Sequence, residues 1–127
     1  MLLHAMVNFP RVAVPPQRPD RIFELRTYES PNAERAANKL DMFNAGEFAA
    51  FERSGMPGVF FGGAIAGAGL PQLTYMILHE NADEAKAHWD AFRKDAGWKQ
   101  LSSQPQYKDN VSKIIDRYVR PLPGSQI

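Results

Sequence analysis

Ile22-Phe23-Glu24-Leu25-Arg26-Thr27-Tyr28 is the stretch on which the reading of this chain turns. Its alternation is that of a β-strand, with Phe23, Leu25 and Thr27 on one face and Glu24, Arg26 and Tyr28 on the other. Just downstream, Ser30 followed by Pro31 is a helix start, a capping oxygen and then proline at the first helical position. Ala33, Ala36, Ala37, Leu40, Phe43 and Phe51 carry a helical stripe to about Arg53, and Gly46 weakens its second half. Ser54-Gly55-Met56-Pro57-Gly58 stops that helix. Val59–Ile65 and Gln72–His79 are two further strands, joined as a hairpin by the turn-forming Ala66-Gly67-Ala68-Gly69. Asn81 and Glu84 stand three apart like a capping box, and the stripe Ala85, His88, Trp89, Phe92, Ala96 follows. A short helix restarts over Asp95–Leu101. The last strand covers about Val111–Val119, ended by Pro121 and Pro123.

The order is therefore β-α-β-β-α-β, a split βαβ unit. It predicts an α+β fold, a four-stranded antiparallel sheet with both helices on one face. Upstream, Pro10, Pro15, Pro16 and Pro19 exclude helix, so residues 1–19 form a proline-rich extension and residues 20–127 the domain. Leu2, Leu3, Met6, Val7 and Phe9 are too apolar for a free linker, so the extension is expected to lie on the domain. The face opposite the helices ought to be polar in a monomer. It is not: Val59, Phe60 and Phe61 are apolar on both parities, as are Tyr75 and Ile77 against Met76 and Leu78. Such a face needs a second cover. The expected cover is another copy, a two-fold homodimer through the helix-free sheet face. The alternative is that the N-terminal segment covers it alone.

With 127 residues, 44% hydrophobic and 23% charged, the chain has the makeup of one folded domain. Fifteen Lys and Arg against fourteen Asp and Glu leave +1, which gives no electrostatic reason for nucleic acid or an anionic membrane. The surplus of Lys and Arg in the last third reads as a solvated face. Without cysteine there is no disulfide, thiolate metal site or cysteine nucleophile. No apolar run reaches the length of a membrane span, and Met1–Val7 lacks the basic start of a signal peptide. A soluble, cytoplasmic protein is expected.

Phe23-Glu24-Leu25-Arg26-Thr27-Tyr28, Pro71-Gln72-Leu73-Thr74-Tyr75-Met76, Trp89-Asp90-Ala91-Phe92 and Asp95…Trp98 together resemble the NIPSNAP family. The likeness covers roughly Arg21–Pro121. It implies the ferredoxin-like fold of the dimeric α+β-barrel superfamily. One departure stands out: Ala96-Gly97 replace the proline that commonly follows the aspartate before the second tryptophan. Some relatives are tandem pairs, and Met1–Pro16 is similar to the stretch leading into a second domain. The chain is then expected to be either such a second half or a one-domain form.

Glu24, Arg26 and Tyr28 are the leading site candidates, and alternation aims them away from the helices, into the expected shared dimer interior. There a carboxylate serves as base, a guanidinium holds an anion and a phenol donates a proton. The plainer reading is a self-satisfied Glu24–Arg26 pair with Tyr28 packed at the rim. His79, at a strand end, suits proton transfer or is a solvated surface residue. Tyr75 would line the cavity. His88 reads as a satisfied histidine at the core edge, and Trp89, Phe92 and Trp98 as packing.

His79-Glu80 opens like a zinc-protease helix, but Asp83 occupies the second histidine position, so no metal is assigned. Gly62-Gly63 and Gly67-Ala68-Gly69 are turn glycines, since no Lys-Ser/Thr follows. The resemblance implies a binding or interaction module with a small interior cavity, of unassigned role and needing no cofactor. The alternative it implies is a small cofactor-independent oxygenase or isomerase. There Arg26 would orient an enolate oxygen, and His79 or Glu24 would move the proton.

Overall fold

In the computed structural model, which describes Met1–Ile127, the deciding stretch forms strand β2 (Ile22–Glu29) inside an antiparallel sheet. Its partners are β4 (Gln72–His79) on one side and β5 (Lys113–Val119) on the other. Strand β3 (Gly58–Ala66) pairs with β4, as the hairpin reading requires.

The sheet has five strands, not four. The fifth, β1 (Leu2–Ala5), pairs with β3 and gives the order β1-β3-β4-β2-β5. The proline-rich stretch obscured it, because four residues ahead of the first proline are too few to show alternation. β1 lengthens the sheet at its edge and does not lie across a face.

Helix α1 (Ala33–Met42) starts two residues later than Ser30-Pro31 suggested. Its cap is Asn32, whose side chain accepts from the Arg35 amide at 2.9 Å. Ser30 is instead buried, its hydroxyl donating to the Asn110 carbonyl at 2.8 Å. The helix then passes through one wide π-helical turn, Phe43–Glu47, kinked at Gly46, whose backbone is not helical (φ 165°, ψ −9°), before α2 (Phe48–Arg53). Helix α3 (Ala82–Lys94) is capped by Asn81, which accepts from the Glu84 amide. α4 (Ala96–Ser102) does restart at the departure from the family pattern. Asp95 caps it by accepting from the Trp98 amide at 2.7 Å and grips Arg53 through two hydrogen bonds of 2.8 Å.

The main core lies between helices and sheet, and it is aromatic. Phe43, Phe51 and Phe92 from the helical side meet Tyr28, Phe61, Leu73, Tyr75 and Ile77 from the strands. Phe61 and Tyr75 stack at 5.2 Å, and Phe51 and Phe92 at 4.8 Å. A smaller group on the opposite face, Phe23, Val59 and Leu78, packs with Phe60, Met76 and the chain end Ile127. There the Ala13 amide donates to the Val59 carbonyl at 2.7 Å. The two termini thus cover one end of the helix-free face. Leu25, Phe60 and Met76 stay partly exposed on it.

These contacts correct the face assignment. Glu24, Arg26 and Tyr28 point toward the helices, not into an interior shared between copies. Phe23, Leu25 and Thr27 take the helix-free face, where the Thr27 and Thr74 hydroxyls bond at 3.0 Å. Strand alternation separates two sets of side chains but does not say which set the helices cover, and on β3 and β4 both sets are apolar. No helix is long and apolar enough to cross a membrane.

Candidate functional site

Glu24 is the hub. Its side chain has no exposed surface, so every lone pair must find a donor within the protein. Arg26 Nη1 donates to Oε1 at 2.6 Å. Trp89 Nε1 and His79 Nε2 donate to Oε2 at 2.7 and 2.9 Å. The donors come from β2, β4 and α3, so this one carboxylate ties three elements together. Burial by itself raises the Glu24 carboxyl; the hydrogen bonds from His79, Trp89 and Arg26 outweigh it and hold it below the ordinary range.

His79 is also wholly buried. A carboxylate only accepts, so His79 Nε2 carries the proton it gives to Glu24. Its other nitrogen, Nδ1, lies 2.9 Å from Nδ1 of His88, and the two rings stack at 5.2 Å. No three His, Asp or Glu side chains are grouped here to hold a metal ion.

Arg26 extends past Glu24 with its guanidinium 4.4 Å from the Trp89 ring centre and 5.5 Å from that of Tyr28. Its Nε is buried and has no acceptor. Behind Tyr28, the Tyr28 and Tyr75 hydroxyls bond at 2.7 Å. Burial pushes the Tyr28 phenol up to about 12 and Tyr75 well above its ordinary value, so both stay protonated at neutral pH. A second buried pair backs this wall. Lys39 Nζ donates to Glu47 at 2.7 Å and sits 5.4 Å from the Tyr28 ring and 5.5 Å from that of Trp98. The π-helical turn brings Glu47 round to it.

In front of Arg26 lies a cleft of about 750 Å³ between α3, α4 and the β2–β5 edge of the sheet. That volume suits a small organic molecule. Trp89, Phe92, Trp98, Tyr28 and Tyr118 supply apolar walls, and Arg26, Lys86, Arg93 and Arg120 face the single acid Asp116. Lys86 and Arg93 share Asp90, while Arg26 is held by Glu24.

Of the residues singled out from sequence, Arg26 and Tyr28 line this cleft. Glu24, His79 and Tyr75 stand behind it, with no surface of their own in it. Sequence reasoning missed Trp89, Trp98, Asp116 and Tyr118 as site residues. A signal was present: the Trp89 indole N–H and the His88 ring lie on the buried stripe of α3 and need polar partners across the layer. Glu24 is a strand carboxylate able to take one.

The family model of NIPSNAP matches residues 23–126. A NIPSNAP family protein from Agrobacterium tumefaciens has a similar structure, with a TM-score of 0.73 at 16% identity over 91% of this chain and 97% of that one. An uncharacterised NIPSNAP-like domain protein from Burkholderia xenovorans gives a TM-score of 0.72 at 13% identity, covering 83% and 88%. SnoaB, a cofactor-independent oxygenase from Streptomyces nogalater, is more distant, with a TM-score of 0.52 at 13% identity over 82% and 95%. No curated protein matches the chain.

Proposed function

The chain belongs to the NIPSNAP family, and from that premise we propose that it is a small-molecule-binding domain whose helix–sheet cleft takes a flat, anionic aromatic compound such as an aryl carboxylate. The observation that carries this reading is Arg26, whose guanidinium lines the cleft 4.4 Å from the Trp89 ring centre. A carboxylate pairs with the part of the guanidinium open to the cleft, and an aryl ring fits among Trp89, Trp98 and Tyr118. An oxygenase or isomerase has less support from the geometry, because Glu24 and His79 are shut away from the cleft.

The test is a titration with 2-naphthoate, followed by tryptophan fluorescence and calorimetry. Micromolar binding is expected, weakened about tenfold in Arg26→Lys, which keeps the charge beside Glu24 but loses the planar fork. Affinity unchanged in Arg26→Lys, or no binding up to millimolar naphthoate, overturns the reading.

The partly exposed Leu25, Phe60 and Met76 support a second proposal, that another copy covers the helix-free face and completes a dimeric barrel. Sedimentation velocity is expected to show a dimer at micromolar concentration and a monomer for Met76→Asp. A monomeric wild type would exclude it.

A further inference from the structure

Glu24, His79 and His88 form an unbroken chain of polar atoms from the buried side of Arg26 to the protein surface. His79 Nε2 gives its proton to Glu24, so a neutral His79 presents a bare Nδ1, and His88 Nδ1 must carry the proton between the rings. That leaves His88 Nε2 bare, 3.8 Å from the Glu84 carboxylate, on a side chain that is 19% exposed. The order of protons along the chain is therefore fixed by its acceptor-only end.

We propose that these three residues are a proton relay between solvent and the cleft, through which binding of an anion beside Arg26 is accompanied by uptake of one proton. The proposal rests on the anionic cleft argued above. Glu24 neutralises Arg26. A carboxylate entering beside Arg26 adds a negative charge to a region walled by Trp89, Tyr28 and Phe92, where an uncompensated charge is costly. A proton from solvent compensates it. It bonds to His88 Nε2; the His88 Nδ1 proton passes to His79 Nδ1; and the His79 Nε2 proton passes to Glu24 Oε2. Both rings end in the opposite tautomer, Glu24 is a neutral acid, no electrons move, and the charge of Arg26 is matched by the ligand.

The surrounding groups are compatible with this direction. Arg26 and Glu24 face the relay from β2, and Tyr118 and Asp116 from β5. Glu80 at the end of β4 is held by Arg21 and Arg18, and Glu84 is on α3 beside His88. Burial lowers His88 from its ordinary 6.5, against the opposite pull of Glu84 and Glu80. With its Nδ1 proton given to His79, the outer ring has Nε2 bare and able to accept.

Two measurements test the relay. In ligand-free protein with ¹⁵N-labelled histidine, NMR at pH 8 is expected to show the Nε2–H tautomer for His79 and Nδ1–H for His88. The opposite tautomers, or two rings that titrate independently, overturn the relay whatever the cleft binds. Calorimetry with 2-naphthoate at pH 7.5, in buffers of different ionisation enthalpy, is expected to give close to one proton taken up per molecule bound. Affinity then falls about tenfold per pH unit on the alkaline side. His88→Gln keeps a donor toward His79 but cannot relay; the equilibrium uptake is independent of the path, so its signature is kinetic, with proton uptake lagging ligand binding in stopped-flow with a pH indicator where the wild type's coincides, and coincident uptake in the variant overturns the relay. Binding without proton uptake in the wild type overturns the relay and leaves the cleft reading standing. Absence of naphthoate binding at any pH overturns the cleft reading and the coupling with it.

Discussion

Lys39→Met is expected to cost ~3–5 kcal/mol of stability at pH 7, measured by urea denaturation, because it strands a buried carboxylate. Lys39 and Glu47 are 4% and 1% exposed, and their 2.7 Å bond is the only ion pair either makes. The lysine amine also faces the Tyr28, Phe43 and Trp98 rings, so it is held by one charge and three aromatic faces. Burial already raises the Glu47 carboxyl above its ordinary 4.5 with Lys39 pulling it down. Without Lys39 the folded-state value rises further, and Glu47 must bind a proton to stay inside. A carboxyl raised on folding favours the folded state at low pH and loses that advantage as pH rises. The deficit of Lys39→Met should therefore shrink as the pH is lowered from 7 toward 4.5. The double variant Lys39→Met, Glu47→Leu removes both charges and should recover most of the loss. A single variant within ~1 kcal/mol of wild type at pH 7 would mean that the pair is solvated in solution.

Phe43→Ala is the second large effect, ~3–5 kcal/mol by the same measurement, for loss of a fully buried aromatic side chain. Phe43 is 0% exposed and opens the π-helical turn at the centre of the aromatic core. Its ring centre lies 5.3 Å from that of Tyr75, 5.5 Å from Phe48 and 5.6 Å from Phe61. It also forms one wall around Lys39. The helix and the sheet are both committed to this contact, so neither can collapse into the vacated space without breaking the other. Phe43→Leu fills most of the volume and should restore a substantial part. A deficit for Phe43→Ala below ~1.5 kcal/mol would show that the core repacks freely.

Phe43 was legible in the sequence because it continues the helical stripe Ala36, Leu40, Phe43. Lys39 was not. One step from Leu40, it has the composition and spacing of a solvated helix residue, and its partner Glu47 is reached only because the chain widens at the π-helical turn. The Glu24–Arg26 pair could be read two residues apart on one strand face. The histidine pair could not: His79 ends a strand, His88 sits within the next helix, and only the fold of α3 back across β4 brings their nitrogens together. β1 was hidden for a related reason, since its strand character comes from pairing with β3, sixty residues away in the chain.

What the sequence by itself determined is the local grammar: a strand over Ile22–Tyr28, the β3–β4 hairpin, the Asn81 cap, the stripe of α3 and the single sheet they imply. Those features depend on residue periodicity and on side chains reaching backbone a few positions away. Only the tertiary structure decided which face of the sheet the helices cover, and with it whether Glu24 and Arg26 belong to a dimer interior or to a cleft within one chain. The period of two sorts side chains into two sets with equal force whichever set is covered. The choice rests on how α1 to α4 pack their aromatic residues onto Tyr28, Phe61 and Tyr75, and on Trp89 and the buried His79 finding Glu24 as their acceptor.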